Sequence, residues 1–325
     1  MTFQYCYQAY GLTIESEISC PELRSGGGIP QVAIRYGDVP ESLESPMSQR
    51  VFCDVERDRT LLRLEKIAGA RFLVQHGREV IVDRAANAND DTLRLFLLSA
   101  CLSSVLYQRD LLPLHGNAVE TERGAIVLAG DSGAGKSTLS MALMQRGYRI
   151  LTDDLCPLTM NGQQCPVVQP GIPRLKLWAD ALKRAGRLPA AADDSTHSVP
   201  NVSHAETTDS TESDQVLQRV RPELEKYSLP LNGRFCDRPT PLHKIYILSK
   251  SNEERPQMKA LVGLQKVEPL RQQQRGDRYL ESIDKNAAWL TWAAAVSRHA
   301  EVAALSRPSH LCSVDELADL VERDL

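Results

Sequence analysis

The chain has 325 residues and a net charge of −4, from 38 Lys and Arg against 42 Asp and Glu, so the basic footprint of a nucleic-acid binder is missing. That length leaves room for one large or two ordinary domains, the 42% of hydrophobic residues is enough for a real core, and the eight cysteines are scattered with no Cys-x-x-Cys pair, which fits a reducing compartment better than a disulfide framework or zinc site. No basic-then-apolar leader is present, and the most apolar run, Leu95 to Leu106, is too short to span a bilayer, so a cytoplasmic protein with neither membrane nor nucleic-acid partners is expected.

Positions 1–84 read as β-rich. Gln4 to Tyr10, Gln31 to Tyr36 and Arg71 to Val74 alternate or run apolar, with Gly, Pro and Asp between them. Gly26-Gly27-Gly28 marks a flexible turn, and nothing here carries a catalytic pattern; substrate docking and a purely structural role are both open. Asp91 to Arg109 places Leu93, Phe96, Leu97, Ala100, Cys101 and Val105 at helical spacing, closing an N-terminal region over 1–110. A second region, 111–325, opens with a strand from Leu111 to Glu120 that carries His115 within or at its end. Taken alone, that histidine fits a satisfied core position as well as a catalytic one.

The densest signal follows. Ile126 to Ala129 is a short apolar run that reads as a buried strand. It feeds Gly130, Asp131, Ser132, Gly133, Ala134, Gly135, Lys136, Ser137 and Thr138, which contain the GxxxxGK[ST] phosphate-binding loop. From Lys136 the pattern turns helical, with Leu139, Ala142, Leu143 and Arg146 on one face and Gly147 as the stop. Main-chain amides of the loop and the helix N-terminus would cradle phosphate oxygens. Lys136 would reach the β- and γ-phosphates, and the Ser137 hydroxyl would bind Mg2+. Tyr148 to Thr152 reads as a second strand ending in Asp153-Asp154. A strand–helix–parallel strand crossover would bring that acid pair beside the loop, where a carboxylate can hold the metal or accept a proton from an attacking hydroxyl. On its own, an Asp-Asp pair also fits a helix cap or a solvated turn.

Downstream, 190–215 is dominated by Ser, Thr and acids and is expected to be a flexible polar insertion. Its histidines, His197 and His204, lack partners at metal-ligand spacing, so no metal site is assigned to them. His243 to Leu248 reads as an apolar strand. Arg174, Lys176, Lys226, Arg271 and Arg275 are candidates for a second phosphate-binding cation; each also fits a solvated surface, and Arg271 and Arg275 stand out as an i, i+4 pair. Ala287 to His299 is a helix with Trp289 and Trp292 expected in the core. A strand at Val302 to Leu305 and a helix at Val314 to Val321 complete an α/β pattern.

Gly130 to Ser137, Arg146-Gly147-Tyr148-Arg149, Asp153-Asp154 and the upstream Leu114-His115-Gly116 together resemble the kinase domain of the HPr kinase/phosphorylase family, over about forty residues from His115 to Leu155. The resemblance implies an α/β fold of the HPr kinase type, a P-loop kinase domain with a mixed sheet flanked by helices, behind the β-rich N-terminal region. It implies ATP and Mg2+ as cofactors, with Asp153 as the carboxylate that deprotonates a substrate serine, His115 beside it and Asp154 on the metal. Hexameric relatives imply a homo-oligomer. The family's Glu-x-Arg-Gly-x-Gly run is missing; Gln169 to Trp178, QPGIPRLKLW, stands in that region, which is more similar to the divergent kinases encoded beside lasso-peptide genes. The reading is a kinase for a serine on a peptide or protein, such as a biosynthetic precursor peptide. Its alternatives are a small-molecule hydroxyl kinase and a nucleotide-sensing regulator that transfers nothing.

Overall fold

A computed structural model describes residues 3–184, 217–221, 224–274, 285–309 and 314–325. The insertion read at 190–215, with His197 and His204, lies outside them, as does Arg275.

Tyr5 to Arg84 supply a nine-stranded sheet. Its strands alternate as half-buried strands do: in Leu12–Ser16, positions 12, 14 and 16 turn inward and 13 and 15 stay partly exposed. Phe72, Val74, Val80 and Val82 pack beneath it with almost no exposed surface. Asn89 opens the following helix by accepting the Thr92 N–H at 2.9 Å, an N-cap that satisfies one otherwise orphan donor. The helix runs Asp90–Phe96, passes through a π turn at Leu97–Cys101 and continues over Leu102–Gln108. Its apolar face, Leu93, Leu97, Leu98, Leu102, Val105 and Leu106, is buried. One apolar cluster contains this face together with Ile14 and Phe72 of the first sheet and Val127, Ile245 and Trp289 of the second region. The two regions therefore share a core.

Five strands of the second sheet position the site. The histidine strand is Leu114–Thr121, the loop strand Gly124–Gly130, the aspartate strand Arg149–Thr152, the central strand Thr240–Ser251 and the last strand Glu301–Pro308. The histidine strand lies between the loop and aspartate strands and is antiparallel to each. The loop, central and last strands are parallel neighbours. The sequence expectation of a direct crossover pair is corrected here: the loop and aspartate strands run the same way but are not neighbours. Their shared direction still delivers Gly130 and Asp153 to one edge, and the reversed intervening strand starts there, bringing His115 with it. Lys250 and Arg307 arrive at the same edge on the central and last strands.

The loop helix, Lys136–Gln145, covers the sheet. Gly147 follows it at φ +103°, in the left-handed conformation that suits a helix stop. The terminal helix Val314–Asp324 packs beside it, with Arg146 bonded to Asp319 at 2.6 Å and Glu322 at 2.5 Å. A three-stranded sheet that the sequence did not reveal, Arg174–Trp178, Leu224–Pro230 and Gln218–Arg221, buries Leu175, Leu177 and Leu229 in the same cluster as Leu139 and Leu143 of the loop helix. No helix among the described residues is long and apolar enough to cross a membrane.

Gly171 joins the two regions tightly. Its N–H donates to the Leu151 carbonyl at 2.8 Å, and a Cβ there would stand 2.1 Å from Thr152 Oγ1 and 2.9 Å from Tyr10 Cε1. Gly171→Ala is expected to cost about 1–3 kcal/mol by overpacking, seen as a lower thermal midpoint. Gly162→Ala, where no atom lies within 4 Å, should leave that midpoint in place.

Candidate active site

The phosphate loop follows the loop strand without a break. Gly130 sits at φ +149°, and a Cβ on it would lie 2.5 Å from the Leu248 carbonyl oxygen, so only glycine lets the loop leave the sheet so close to the central strand. Within the loop the Ala134 N–H donates to the Asp131 carbonyl at 3.1 Å. Arg307 fastens it from outside, donating through Nε to Ala134 O at 2.8 Å and through Nη2 to Gly133 O at 3.2 Å.

Lys136 is 7% exposed. Its Nζ donates to the carbonyls of Gly130 at 2.6 Å and Asp131 at 3.1 Å, and stands 3.1 Å from His115 Nε2. The other ring nitrogen, Nδ1, lies 3.3 Å from both the main-chain oxygen and Oδ1 of Asp154. A histidine with its proton on Nδ1 and a lone pair on Nε2 satisfies both neighbours at once. Asp154 adopts φ +73°, a left-handed turn that aspartate tolerates better than most residues. Thr152 Oγ1 closes the turn on the Leu155 carbonyl at 2.6 Å. Lys176 then completes the row: its Nζ is 3.4 Å from Asp154 Oδ2, and its backbone N–H donates to Asp153 Oδ2 at 2.8 Å. Asp153 Oδ1 receives no hydrogen bond from the described residues.

Burial sets the protonation states. Desolvation pushes the Lys136 ammonium down to about 8, opposed by Asp154 and Asp153. Desolvation and then the like charge of Asp154 hold the Asp153 carboxyl above the usual carboxylate range. Desolvation also lowers Lys176, with Asp154 opposing it. A raised carboxylate grips a proton more firmly, which is what proton abstraction from an alcohol requires.

These groups line one cleft of about 300 Å³, with His115, Asn117, Lys136, Ser137, Asp153, Asp154, Trp178, Lys226, Lys250 and Arg307 on its walls. The structure thus brings together all three residues expected to be catalytic, the loop, and two of the candidate cations, Lys176 beside Asp154 and Lys226 on the wall. Arg174 lies beyond the aspartates. Arg271 does not reach the cleft: its guanidinium sits 5.3 Å over the Trp289 ring and donates to Asn286 Oδ1 at 3.1 Å. Asn117, Lys250 and Arg307 were not anticipated. Asn117 is two positions from His115 on the same strand face and donates to Ser140 Oγ at 3.0 Å; Lys250 and Arg307 each close an apolar strand, a signal that becomes readable only once strand direction is known. Ser137 Oγ and the carboxylates of Asp153 and Asp154 are among the oxygens that line the cleft and could meet a cation, and among the described residues no group of three or more His, Cys, Asp or Glu forms a cage.

No family model matches the chain. Curated relatives do match part of it. The HPr kinase/phosphorylase of Treponema pallidum is 44% identical over 50 residues, 15% of this chain and 16% of that protein. The HPr kinase/phosphorylase of Lactobacillus acidophilus is 37% identical over 82 residues, 23% of this chain and 26% of its own length. The chain therefore spans well under two thirds of the relatives it matches. Among solved structures, the Hpr(Ser) kinase/phosphatase from Coxiella burnetii aligns with a TM-score of 0.31 at 12% identity, covering 65% of this chain and 89% of that one.

With desolvation bringing Lys136 down to about 8, the nucleotide-free protein increasingly carries a neutral amine above that pH, and binding a triphosphate that needs the ammonium takes up a proton. Nucleotide affinity measured by calorimetry is expected to fall toward tenfold per pH unit from about 8 upward, and K136M should bind weakly with no such slope. Arg307→Ala should loosen the loop and weaken nucleotide binding by roughly tenfold or more, as loss of a charge-assisted pair does.

Proposed function

We propose, from the HPr kinase-like character of the chain, that it is an ATP-dependent kinase that transfers the γ-phosphate to a serine hydroxyl of a peptide or protein. The observation carrying this reading is Asp153: a carboxylate of raised basicity, one oxygen fixed by a backbone N–H and the other unclaimed, on the wall of a cleft whose opposite side is the phosphate loop.

The donor set suits ATP and Mg2+. Lys136, Lys226, Lys250 and Arg307 place four cations around one cleft, as a triphosphate of high negative charge demands. Mg2+ favours few protein oxygens plus water and phosphate, and Ser137 with Asp154 offers such a pair; when bound, the ion would offset charge on the phosphate oxygens. Lys136 must release its hold on the Gly130 and Asp131 carbonyls to reach the phosphates. His115 and Lys176 keep Asp154 oriented from two sides. Asp153 Oδ1 takes the serine proton as the hydroxyl oxygen bonds to the γ-phosphorus and the bond to the β-phosphate oxygen breaks, releasing ADP. A biosynthetic precursor peptide as substrate, cytoplasmic location and homo-oligomeric assembly belong to the same proposal.

A sensor without transfer needs the loop and the metal ligands, and Asp153 would then be dispensable. Asp153→Asn is expected to retain nucleotide affinity within about twofold and to lower transfer by about 100-fold or more, the range for losing a general base. Radiolabel transfer from ATP alongside nucleotide calorimetry checks both. Undiminished transfer in this variant would remove Asp153 from the role of base.

A further inference from the structure

The strand Arg174–Trp178 forms the far wall of the site, and its two faces differ. Leu175 and Leu177 are buried toward the loop helix, so Arg174, Lys176 and Trp178 share the other face. Trp178 lines the nucleotide cleft, Lys176 stands at Asp154, and Arg174 lies one step further, on the side of the aspartates away from the phosphate loop. There it borders two small pockets. The first, about 10 Å³, is also lined by Tyr10, Ser99, Asp153 and Asp154, and has room for about one water-sized group. The second, about 40 Å³, is bordered by Arg174, Lys176, Arg219, Glu22 and Asp91.

The charges around these pockets are unevenly matched. Glu22 and Asp91 are both held by Arg94, Glu22 through Oε1 at 3.0 Å, while Glu22 Oε2 is buried with no hydrogen-bond partner among the described residues. Arg219 lies 5.7 Å over the Tyr227 ring and donates to its hydroxyl at 3.2 Å. Lys176 is engaged by Asp154. Arg174 is partly buried, yet its guanidinium has no hydrogen-bond or ion-pair partner among the described residues. A partly buried guanidinium without a direct partner leaves its donors unfilled, and a guanidinium is shaped to bind an oxyanion in two-pronged fashion.

We propose that Arg174 forms an acceptor subsite for an oxyanion that flanks the hydroxyl to be phosphorylated. This rests on the kinase reading above and adds a substrate class to it. Successive same-face positions on a strand are about 7 Å apart, so a hydroxyl held at Asp153 near Lys176 leaves the neighbouring residue of an extended peptide within reach of Arg174. A carboxylate or a phosphate would serve, from the peptide terminus or from a flanking side chain.

The test uses the full chain with ATP and Mg2+ and four short single-serine peptides. One has a free C-terminal carboxylate beside the serine; the other three are amidated and carry aspartate, phosphothreonine or asparagine at the flanking position. Transfer is read as kcat/KM, and binding by calorimetry on the Asp153→Asn protein. At least one anionic peptide should exceed the asparagine peptide by tenfold or more in both readouts, and the identity of the winner names the source of the oxyanion. Arg174→Gln should erase that preference, and Arg174→Lys should keep part of it. Arg271→Gln, which removes the same charge outside the cleft, should leave it intact. Equal use of neutral and anionic peptides, a preference that survives Arg174→Gln, or equal loss in Arg271→Gln would overturn the subsite. Binding that depends on Arg174 without transfer to any peptide would support the subsite and count against the kinase reading instead.

Discussion

Strand polarity is the constraint from which the rest of the site follows. The histidine strand is hydrogen-bonded between the loop and aspartate strands and runs against each, so those two must run together. Parallel pairing of the loop, central and last strands extends the same polarity across the sheet. One edge then collects four strand ends and one strand start, and with them a phosphate loop, two acids, a histidine and two further cations. No single contact draws these groups together; the backbone ladder does, and ligands of open α/β sheets collect at this kind of edge.

What the edge assembles is a polar row, Lys136, His115, Asp154 and Lys176, with Asp153 hung from the backbone of the last member. Removing such groups from water is expensive unless each has a partner. Here His115 and Asp154 have a neighbour on either side, Lys136 donates to two main-chain carbonyls, Lys176 meets Asp154, and Asp153 accepts a main-chain N–H; the residual mismatch shows as shifted protonation, with amines pulled down and a carboxyl pushed up and burial the first cause in every case. Functional clefts are where such tension is usually kept. Asp154 in its left-handed turn and Gly130 against the Leu248 carbonyl are the backbone counterparts of the same compromise.

Legibility in the sequence tracked locality. The phosphate loop, its strand and helix, and the acid pair lie within one short stretch whose spacing encodes their contacts, and the amphipathic helix before His115 announces itself by period. Strand order does not work that way. Nothing between Ile126 and Asp154 reveals that a strand from upstream inserts itself between the two, so the expected direct neighbours turned out to be separated. Lys250 and Arg307 were invisible because their place depends on parallel pairings over long sequence separations. Leu224–Pro230 escaped because its apolar alternation is weak and its partner, Arg174–Trp178, lies on the far side of the polar insertion. Arg271 misled for the opposite reason: its local pattern looked unengaged, while the aromatic face that occupies it comes from Trp289 on another helix.

The parallel pairing of the loop strand with Thr240–Ser251 has a consequence for how the molecule is made. During synthesis the loop strand leaves the ribosome long before its parallel partner exists. Until then Ile126, Val127 and Leu128 present a naked apolar edge, protected on the other side only by the antiparallel hairpin with Leu114–Thr121. Non-local ladders of this kind close slowly, and open strand edges in partly folded chains invite self-association. The nascent polypeptide therefore carries an unpaired strand edge from the emergence of the glycine-rich turn until the central strand arrives to cover it.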